Sequence, residues 1–230
     1  MNTRRIALIP AAGIGSRFGS ELPKQYVQIG EKTVLQHTLD VFAANERIDH
    51  IAVVISPDDS YFDVLINLPH NGSVHRVGGS SRAQSVFNGV NELVDLGIAT
   101  LSDSILVHDA ARCCLPQTAL NRLLDHTEHN YNGGILALPV ADTLKQQNAH
   151  QHIARTVSRV GMWQAQTPQL FQAALLQRAL ANVNLNHITD EASAVEQLGI
   201  SPMLVEGDSR NIKLTRADDA ALVAFLLTQM

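Results

Sequence analysis

Short apolar runs alternate along the chain with longer segments in which apolar residues recur at every third or fourth position. Four of these runs are almost continuously apolar, and they cover residues 6–9, 51–55, 104–107 and 135–138. Runs of this length and composition are typical of strands that are buried on both faces of a parallel sheet. They therefore predict the central strands of a sheet that is covered on both sides.

The segments between these runs show the spacing of amphipathic helices. Three sets of apolar residues follow it: Leu35, Leu39 and Phe42; Val86, Val90 and Leu93; and Leu120, Leu123 and Leu124. Such alternation of strands and helices is typical of α/β folds in which helices cover both faces of the sheet. We therefore predict a doubly wound, mostly parallel, Rossmann-like sheet.

A last helix is predicted to begin at Thr215. The sequence TRAD at residues 215–218 resembles a capping box in which Asp replaces the usual Glu. On this interpretation Leu222, Phe225 and Leu226 form the stripe that the helix buries.

One segment interrupts the alternation. Residues 142–152 are mostly polar, and residues 153–157 then have the composition of a short strand. The segment is either a long surface loop or a hairpin arm that projects from the sheet and embraces a second subunit. We predict a single domain over residues 1–230, with a dimerisation arm at about residues 141–160.

Length and charge limit the possible partners. The chain has 230 residues and a net charge of −5, which argues against broad electrostatic binding of nucleic acid. No apolar run approaches the roughly 20 residues that span a bilayer, so no membrane association is expected. Cys113 and Cys114 are adjacent and cannot join distant segments. A reducing cytoplasm is therefore the expected location.

The loop after the first predicted strand carries the candidate chemistry. It lacks the dinucleotide-binding fingerprint, which needs Gly where Phe18 stands, and no Gly-Lys-Ser/Thr closes it as in a Walker A loop. Gly13 and Gly15 allow the backbone to approach a ligand, so that N–H groups can bind phosphate. Arg17 offers a planar fork and Lys24 a movable charge. The alternative is a glycine turn with two solvated cations.

This loop and the segments that follow it also carry a family resemblance. The sequence AAGIGSRF at residues 11–18, followed by PKQY at residues 23–26, resembles the signature of cytidylyltransferases among the enzymes that join a nucleotide to a sugar or polyol phosphate. Further landmarks follow in order: Gly78-Gly79 with Arg82 and Ser85, VHDAAR at 107–112, PVADT at 139–143, QTPQ at 166–169, TDEA at 189–192, VEG at 205–207 and NIK at 211–213. From about residue 6 to the last helix, the chain resembles the 2-C-methyl-D-erythritol 4-phosphate cytidylyltransferase family.

The resemblance implies a site for CTP. Arg17 and Lys24 match cations that hold the triphosphate and stabilise charge at the α-phosphorus, and Lys213 matches a third catalytic cation. Asp109 matches the carboxylate that holds Mg²⁺ or another divalent cation; taken alone, it could equally be a helix cap. The residues that match the nucleotide pocket are Ala11, Ala12, Gly13, Gly15, Gly79, Arg82 and Ser85.

The resemblance also implies a site for the acceptor. Arg112, Thr143 and Lys213 match residues that hold a polyol phosphate. Arg159 matches a contact made to the neighbouring subunit of a homodimer, although by sequence alone a solvated surface position suits it better. The implied reaction is attack by the 4-phosphate of methylerythritol phosphate on the α-phosphorus of CTP in non-mevalonate isoprenoid biosynthesis. It needs positioning and charge stabilisation rather than a protein base.

Three other functions remain open at this point. A cytidylyltransferase for another polyol phosphate, such as ribitol 5-phosphate, would share the CTP half of the site. An enzyme that activates a sugar 1-phosphate with another nucleotide fits the PKQY sequence less well. A non-catalytic nucleotide-binding module could use the same fold. A histidine metal site is not expected, because His126 and His129 have no third ligand at a suitable spacing.

Overall fold

The computed structural model describes residues 3–13, 22–127, 130–185 and 187–229. Within these ranges the strands are β1 (Arg5–Pro10), β2 (Gln28–Ile29), β3 (Lys32–Thr33), β4 (His50–Val54), β5 (Gly72–His75), β6 (Ser104–Val107), β7 (Gly134–Pro139), β8 (Leu144–Gln147), β9 (Ile153–Val157), β10 (Trp163–Gln172) and β11 (Met203–Glu206). The helices are α1 (Val34–Ala43), α2 (Phe62–Leu65), α3 (Arg82–Asp95), α4 (Gln117–Thr127), α5 (Ala173–Ala181), α6 (Glu191–Glu196) and α7 (Asp219–Leu227).

Seven strands form the main sheet, in the order β11-β7-β10-β6-β1-β4-β5. Strand β1 pairs in parallel with β4 and β6, β4 with β5, and β11 with β7. Strand β10 lies between β6 and β7 and runs antiparallel to both. The four apolar runs are β1, β4, β6 and β7, so the predicted mostly parallel α/β sheet is confirmed.

The helices cover both faces of this sheet. Helices α1, α2 and α4 pack in one apolar cluster, whereas α3, α5 and α6 pack in the other. The side chains of residues 6–9 on β1 are fully buried and alternate between these two clusters. Burying a side chain of this kind contributes about 1.5–3 kcal/mol, which explains the near-continuous apolar sequence of the central strands.

Polar residues begin three of the helices. Thr33 accepts a hydrogen bond from the Gln36 N–H at the start of α1, and Ser81 accepts one from the Gln84 N–H at the start of α3. Asp190 begins α6 with a capping box that Ser193 completes. Such caps satisfy N–H groups that the helix itself leaves unpaired, and the caps of α3 and α6 fix the positions of the residues that follow them.

The last helix differs from its prediction. Helix α7 begins at Asp219, not at Thr215, because the carboxylate of Asp219 binds the backbone N–H groups of Thr215 and Arg216 at 2.8 Å and holds that segment in a turn. Val223 is its buried residue, whereas Leu222 and Phe225 are 52% and 61% exposed. The predicted start was therefore wrong, and so was the burial of Leu222 and Phe225, whereas Leu226 is partly buried against an apolar cluster. Periodicity failed here because the helix is apolar on every side.

The polar segment forms a hairpin rather than an irregular loop. Strand β8 pairs antiparallel with β9 in a two-stranded sheet that is separate from the main one. Most of its residues are exposed. Its predicted use as an arm toward a second subunit stays a prediction. No helix in the described part of the chain is both long and apolar enough to cross a membrane.

Candidate active site

A cavity of about 780 Å³ lies at the carboxyl ends of β1 and β6. The chain runs from β1 to β4 and β5 on one side and then crosses to β6 on the other, so this is the point where ligands bind in doubly wound sheets. The predicted site residues that line it are Ala11, Ala12, Gly13, Lys24, Gly79, Arg82, Ser85, Asp109 and Lys213.

The backbone that follows β1 forms one wall of the cavity. The buried side-chain amide of Gln25 donates hydrogen bonds to the carbonyl oxygens of Ala11 at 2.7 Å and Gly13 at 2.9 Å. A Cβ atom on Gly78 would collide with the side chain of Ala12, so a glycine is needed where the second loop passes this wall. Sequence reasoning assigned no role to Gln25 itself, although the residue lies within the PKQY sequence.

The loop before α3 forms the opposite wall. The N–H of Gly79 donates to Ser85 Oγ at 3.1 Å, and the same hydroxyl donates to the carbonyl of Ser81 at 2.9 Å. Ser81 in turn caps α3. These bonds hold the loop backbone and place Arg82, the first residue of α3, at the edge of the cavity.

Asp109 follows β6 and is surrounded by cations. Its Oδ1 lies 2.7 Å from Arg82 Nε, and its Oδ2 lies 2.8 Å from Lys213 Nζ and 3.4 Å from Arg112 Nε. Burial of the carboxyl would raise its pKa, but the charges of Arg82 and Lys213 outweigh burial and hold the pKa of Asp109 well below its usual range. Asp109 is therefore ionised.

A second carboxylate, which sequence reasoning missed, holds Arg82 from behind. Glu191 Oε1 and Oε2 lie 2.6 and 3.1 Å from Arg82 Nη1 and Nη2, and the Glu191 side chain is 1% exposed. Burial alone would lower the pKa of Arg82, but the charges of Glu191 and Asp109 raise it above its usual range. Glu191 belongs to the TDEA landmark, yet nothing in the sequence indicates which cation it meets.

A hydrogen-bonded chain fixes the backbone on which Asp109 stands. The buried His108 donates from Nε2 to the carbonyl of Arg112 at 2.9 Å, because a carbonyl can only accept. Its Nδ1 therefore accepts from Thr167 Oγ1 at 3.0 Å, and Thr167 Oγ1 accepts the N–H of Asp109 at 3.1 Å. Burial lowers the pKa of His108 to about 4, so the imidazole is neutral.

The segment before α7 supplies the remaining cation and closes the site. The N–H of Leu214 donates to the carbonyl of Ala111 at 2.8 Å, which brings Lys213 to Asp109. Lys24 Nζ donates to the carbonyl of Leu214 at 3.3 Å. Arg112 Nη1 donates to the carbonyl of Asn211 at 2.6 Å. The predicted catalytic residues Lys24 and Lys213 thus lie on the same side of the cavity.

Four predicted site residues are not part of this arrangement. Thr143 and Arg159 are exposed and do not line the cavity of their own chain. Gly15 and Arg17 lie outside the described residues. The roles predicted for these four residues stay predictions, as do the roles of the predicted residues that the structure places in the cavity.

The cavity suits a divalent cation only together with a phosphate ligand. Asp109 is the carboxylate that lines it within the described ranges, and these ranges contain no group of three His, Cys, Asp or Glu residues that could hold a metal. Mg²⁺ is commonly bound by one or two carboxylates plus substrate phosphates. The donors present fit that pattern, with Asp109 Oδ2 shared with Lys213.

The fold and the site together define a nucleotidyltransferase: glycine-containing loops and three cations surround one carboxylate at the switch point of a doubly wound sheet. The sequence model of the IspD family, described as 2-C-methyl-D-erythritol 4-phosphate cytidylyltransferase, matches residues 5–229. The chain belongs to this family.

Relatives and solved structures agree with this assignment. A protein of Neisseria gonorrhoeae (strain NCCP11945) named 2-C-methyl-D-erythritol 4-phosphate cytidylyltransferase is 56% identical over 227 residues, which cover 99% of each chain. A crystal structure of 4-diphosphocytidyl-2C-methyl-D-erythritol synthase is 51% identical, with a TM-score of 0.89 over 99% of this chain and 100% of the other. The cytidylyltransferase structure from Francisella tularensis is 34% identical, with a TM-score of 0.81 over 97% of this chain and 100% of the other.

Proposed function

We propose that the protein transfers the cytidylyl group of CTP to 2-C-methyl-D-erythritol 4-phosphate, forming 4-diphosphocytidyl-2-C-methyl-D-erythritol and pyrophosphate in non-mevalonate isoprenoid biosynthesis. The observation that supports this proposal most directly is the position of Asp109 between Arg82 and Lys213 in the switch-point cavity. Membership of the family and 56% identity to a relative named for this activity support the choice of both substrates.

CTP would occupy the space between the two loops. The backbone at Ala11, Ala12 and Gly79, together with Ser85, would bind cytosine and ribose through hydrogen bonds. A site built of paired polar groups rejects bases that lack one partner. The backbone N–H groups at Gly13 and Gly15 would bind phosphate oxygens. In a separate role, Arg82, Lys24 and Arg17 would face the triphosphate as fixed or movable positive charges.

Catalysis would consist of positioning and charge stabilisation. The acceptor phosphate attacks the α-phosphorus in line and pyrophosphate leaves; because the phosphate is already an anion, no protein base takes a proton. Lys24 and Lys213 would stabilise the charge that develops on the transferred phosphoryl group. A divalent cation bound at Asp109, Mg²⁺ being the natural candidate, would add positive charge beside the phosphates.

The acceptor would bind on the Lys213 side of the cavity. Arg112 and Lys213 already approach Asp109 from that side. Thr143 and Arg159 would complete this pocket from a partner subunit, because they are exposed at the ends of the β8–β9 hairpin and are absent from their own cavity. The chain would then be one domain over residues 1–230 that forms a homodimer through the arm at about residues 141–160.

The expected setting is the cytoplasm, without nucleic acid or membrane as a partner. Cys113 and Cys114 are both free and buried, and free thiols are typical of a reducing compartment. The net charge of −5 gives no broad attraction for nucleic acid.

Release of pyrophosphate tests the proposal. The purified protein is incubated with Mg²⁺ and CTP, ATP, GTP or UTP, each with methylerythritol 4-phosphate or ribitol 5-phosphate. We expect release with CTP and methylerythritol 4-phosphate alone. Release with ribitol 5-phosphate instead would leave the chemistry intact and show that the acceptor is wrong. If folded protein releases no pyrophosphate with any pair of substrates, a non-catalytic nucleotide-binding module is favoured.

A further inference from the structure

Glu191 is a buried carboxylate to which the reaction described above assigns no role. It is fully buried and does not line the cavity. Both of its oxygens bind the terminal nitrogens of Arg82, at 2.6 and 3.1 Å. Two-point pairing of this kind fixes the plane of a guanidinium as well as its position.

The surroundings of Glu191 hold it in place. It is the first residue of α6, whose N-terminus is fixed by the capping box of Asp190. Gln169 on β10 joins the same turn, since its Oε1 accepts the N–H of Ala192 at 2.9 Å and its Nε2 donates to Asp190 at 2.8 Å. The backbone that carries Glu191 is therefore held to the sheet by the buried side chain of Gln169.

This anchoring decides how Arg82 meets Asp109. With both terminal nitrogens on Glu191, Arg82 presents its Nε to Asp109 Oδ1 at 2.7 Å. Asp109 Oδ2 is then left to Lys213 Nζ at 2.8 Å, whose side chain is 38% exposed, and to the more distant Arg112 Nε at 3.4 Å. A guanidinium released from Glu191 would be free to pair with Asp109 through two parallel bonds, the more favourable geometry, and would cover both oxygens.

We propose that Glu191 is a positioning residue that holds Arg82 side-on to Asp109. Asp109 Oδ2 is then shared with the movable Lys213 instead of being covered by a second guanidinium bond, and it can bind the divalent cation that accompanies the triphosphate of CTP when Lys213 turns away. The inference rests on the proposed function for the identity of the nucleotide. The inference adds that cation-assisted binding of CTP requires Glu191, a residue that does not contact the substrate.

The test measures how strongly a divalent cation and CTP assist each other's binding. The affinity of the protein for CTP is determined by calorimetry with excess EDTA and again with saturating Mn²⁺, and the ratio of the two reports the coupling. In Glu191→Gln we expect this ratio to fall about 10- to 100-fold, as for other residues that orient a metal ligand. CTP affinity in EDTA should not weaken, because the variant loses a negative charge.

The matched control is Glu196→Gln, which removes the same charge from an exposed position on the same helix. Its ratio should equal that of the wild type. A folded Glu191→Gln protein with the wild-type ratio overturns the inference, and so does a wild-type ratio of one. A purely structural role would instead weaken CTP binding equally with and without Mn²⁺.

Two further variants decide the matter if Glu191→Gln does not fold. Glu191→Asp keeps the charge but shortens its reach, so its ratio should fall while its CTP affinity in EDTA stays at the wild-type value. In an Arg82→Gln background, Glu191→Gln should change the ratio by less than about twofold, because the two residues act as a unit. A wild-type ratio in Glu191→Asp, or a full additional loss in the double variant, overturns the inference. The assay contains no acceptor, so a failure of the proposed reaction would not alter it.

Discussion

Lys213 Nζ lies 2.8 Å from Asp109 Oδ2 and joins the segment before α7 to the loop after β6. The two residues are brought together by the backbone bond from Leu214 N–H to the carbonyl of Ala111. The Lys213 side chain is 38% exposed, whereas that of Asp109 is 9% exposed. The lysine is thus the more exposed partner of a nearly buried carboxylate, and in the proposed reaction it would turn toward the phosphate without a change in the fold.

Replacing Lys213 should therefore impair catalysis and leave the fold unchanged. In Lys213→Gln we expect kcat to fall on the order of 100-fold or more, since removing one group that stabilises transition-state charge has that effect. Steady-state pyrophosphate release measures kcat, and thermal unfolding checks the fold. Lys32→Gln is the control, because Lys32 pairs with Asp40 on the surface and lies outside the cavity. Near-normal turnover in Lys213→Gln would contradict the role proposed here.

Lys24→Ala should likewise lower kcat strongly while the protein stays folded. Lys24 lines the cavity and its Nζ donates to the carbonyl of Leu214, the residue after Lys213, so both ammonium groups lie on the same side of the cavity, where Lys24 is proposed to face the triphosphate. We expect a loss of about 100-fold in kcat by the same transition-state argument. Lys32→Ala provides the comparison, with an unchanged rate expected, because Lys32 pairs with Asp40 on the surface outside the cavity. Normal turnover in Lys24→Ala would remove Lys24 from the catalytic set.

The sequence predicted the parts of the fold that rest on apolar patterns. Strands β1, β4, β6 and β7 are recognisable because both of their faces are buried. Strand β10 escaped prediction because its sequence mixes apolar residues with Gln166, Thr167 and Gln169, which are buried through hydrogen bonds rather than through hydrophobicity. Such residues resemble those of a loop until their partners are known.

In the site, the residues that belong to family motifs could be predicted, whereas contacts that depend on tertiary packing could not. Asp109 and Lys213 could be placed because each lies within a landmark of the family, VHDAAR and NIK respectively. The pairing of Glu191 with Arg82 could not, since it depends on the packing of α6 against α3 and α5 and leaves no periodic signal. Leu222 and Phe225 were placed in the core because α7 is apolar on every side, so periodicity does not indicate which face is buried.

Thr167→Val should destabilise the protein through the loop that carries Asp109. The variant leaves the N–H of Asp109 without its acceptor and His108 Nδ1 without its donor, and both groups are buried. Each such buried group costs about 1–3 kcal/mol when unpaired. Urea denaturation should show a loss of that order in the free energy of unfolding. Thr118→Val at an exposed position of α4 should show almost none, and equal stability of the two variants would argue against the proposed hydrogen-bonded chain.

The neutral His108 should make folding sensitive to acid. Burial lowers its folded pKa to about 4 from 6.5, so between these values the unfolded chain binds a proton that the folded protein does not. The free energy of unfolding therefore falls as the pH falls through this window, by about 3 kcal/mol in total. Urea denaturation at several pH values measures this dependence, and the free energy of unfolding should change less with pH in His108→Gln than in the wild type. The contributions of His50 and His75, whose pKa values are lowered chiefly by burial, are common to both proteins.

Arg159 should act in the site of the neighbouring subunit, and mixed dimers can show this. Arg159→Ala and Lys213→Ala should each be nearly inactive alone. In a dimer with one subunit of each kind, the Arg159→Ala subunit keeps its own Lys213 and receives an intact Arg159 from its partner. One of the two sites is then complete. Random pairing on coexpression should therefore restore about one quarter of the wild-type activity. If Arg159 served its own chain, every site would lack one residue and coexpression would restore nothing.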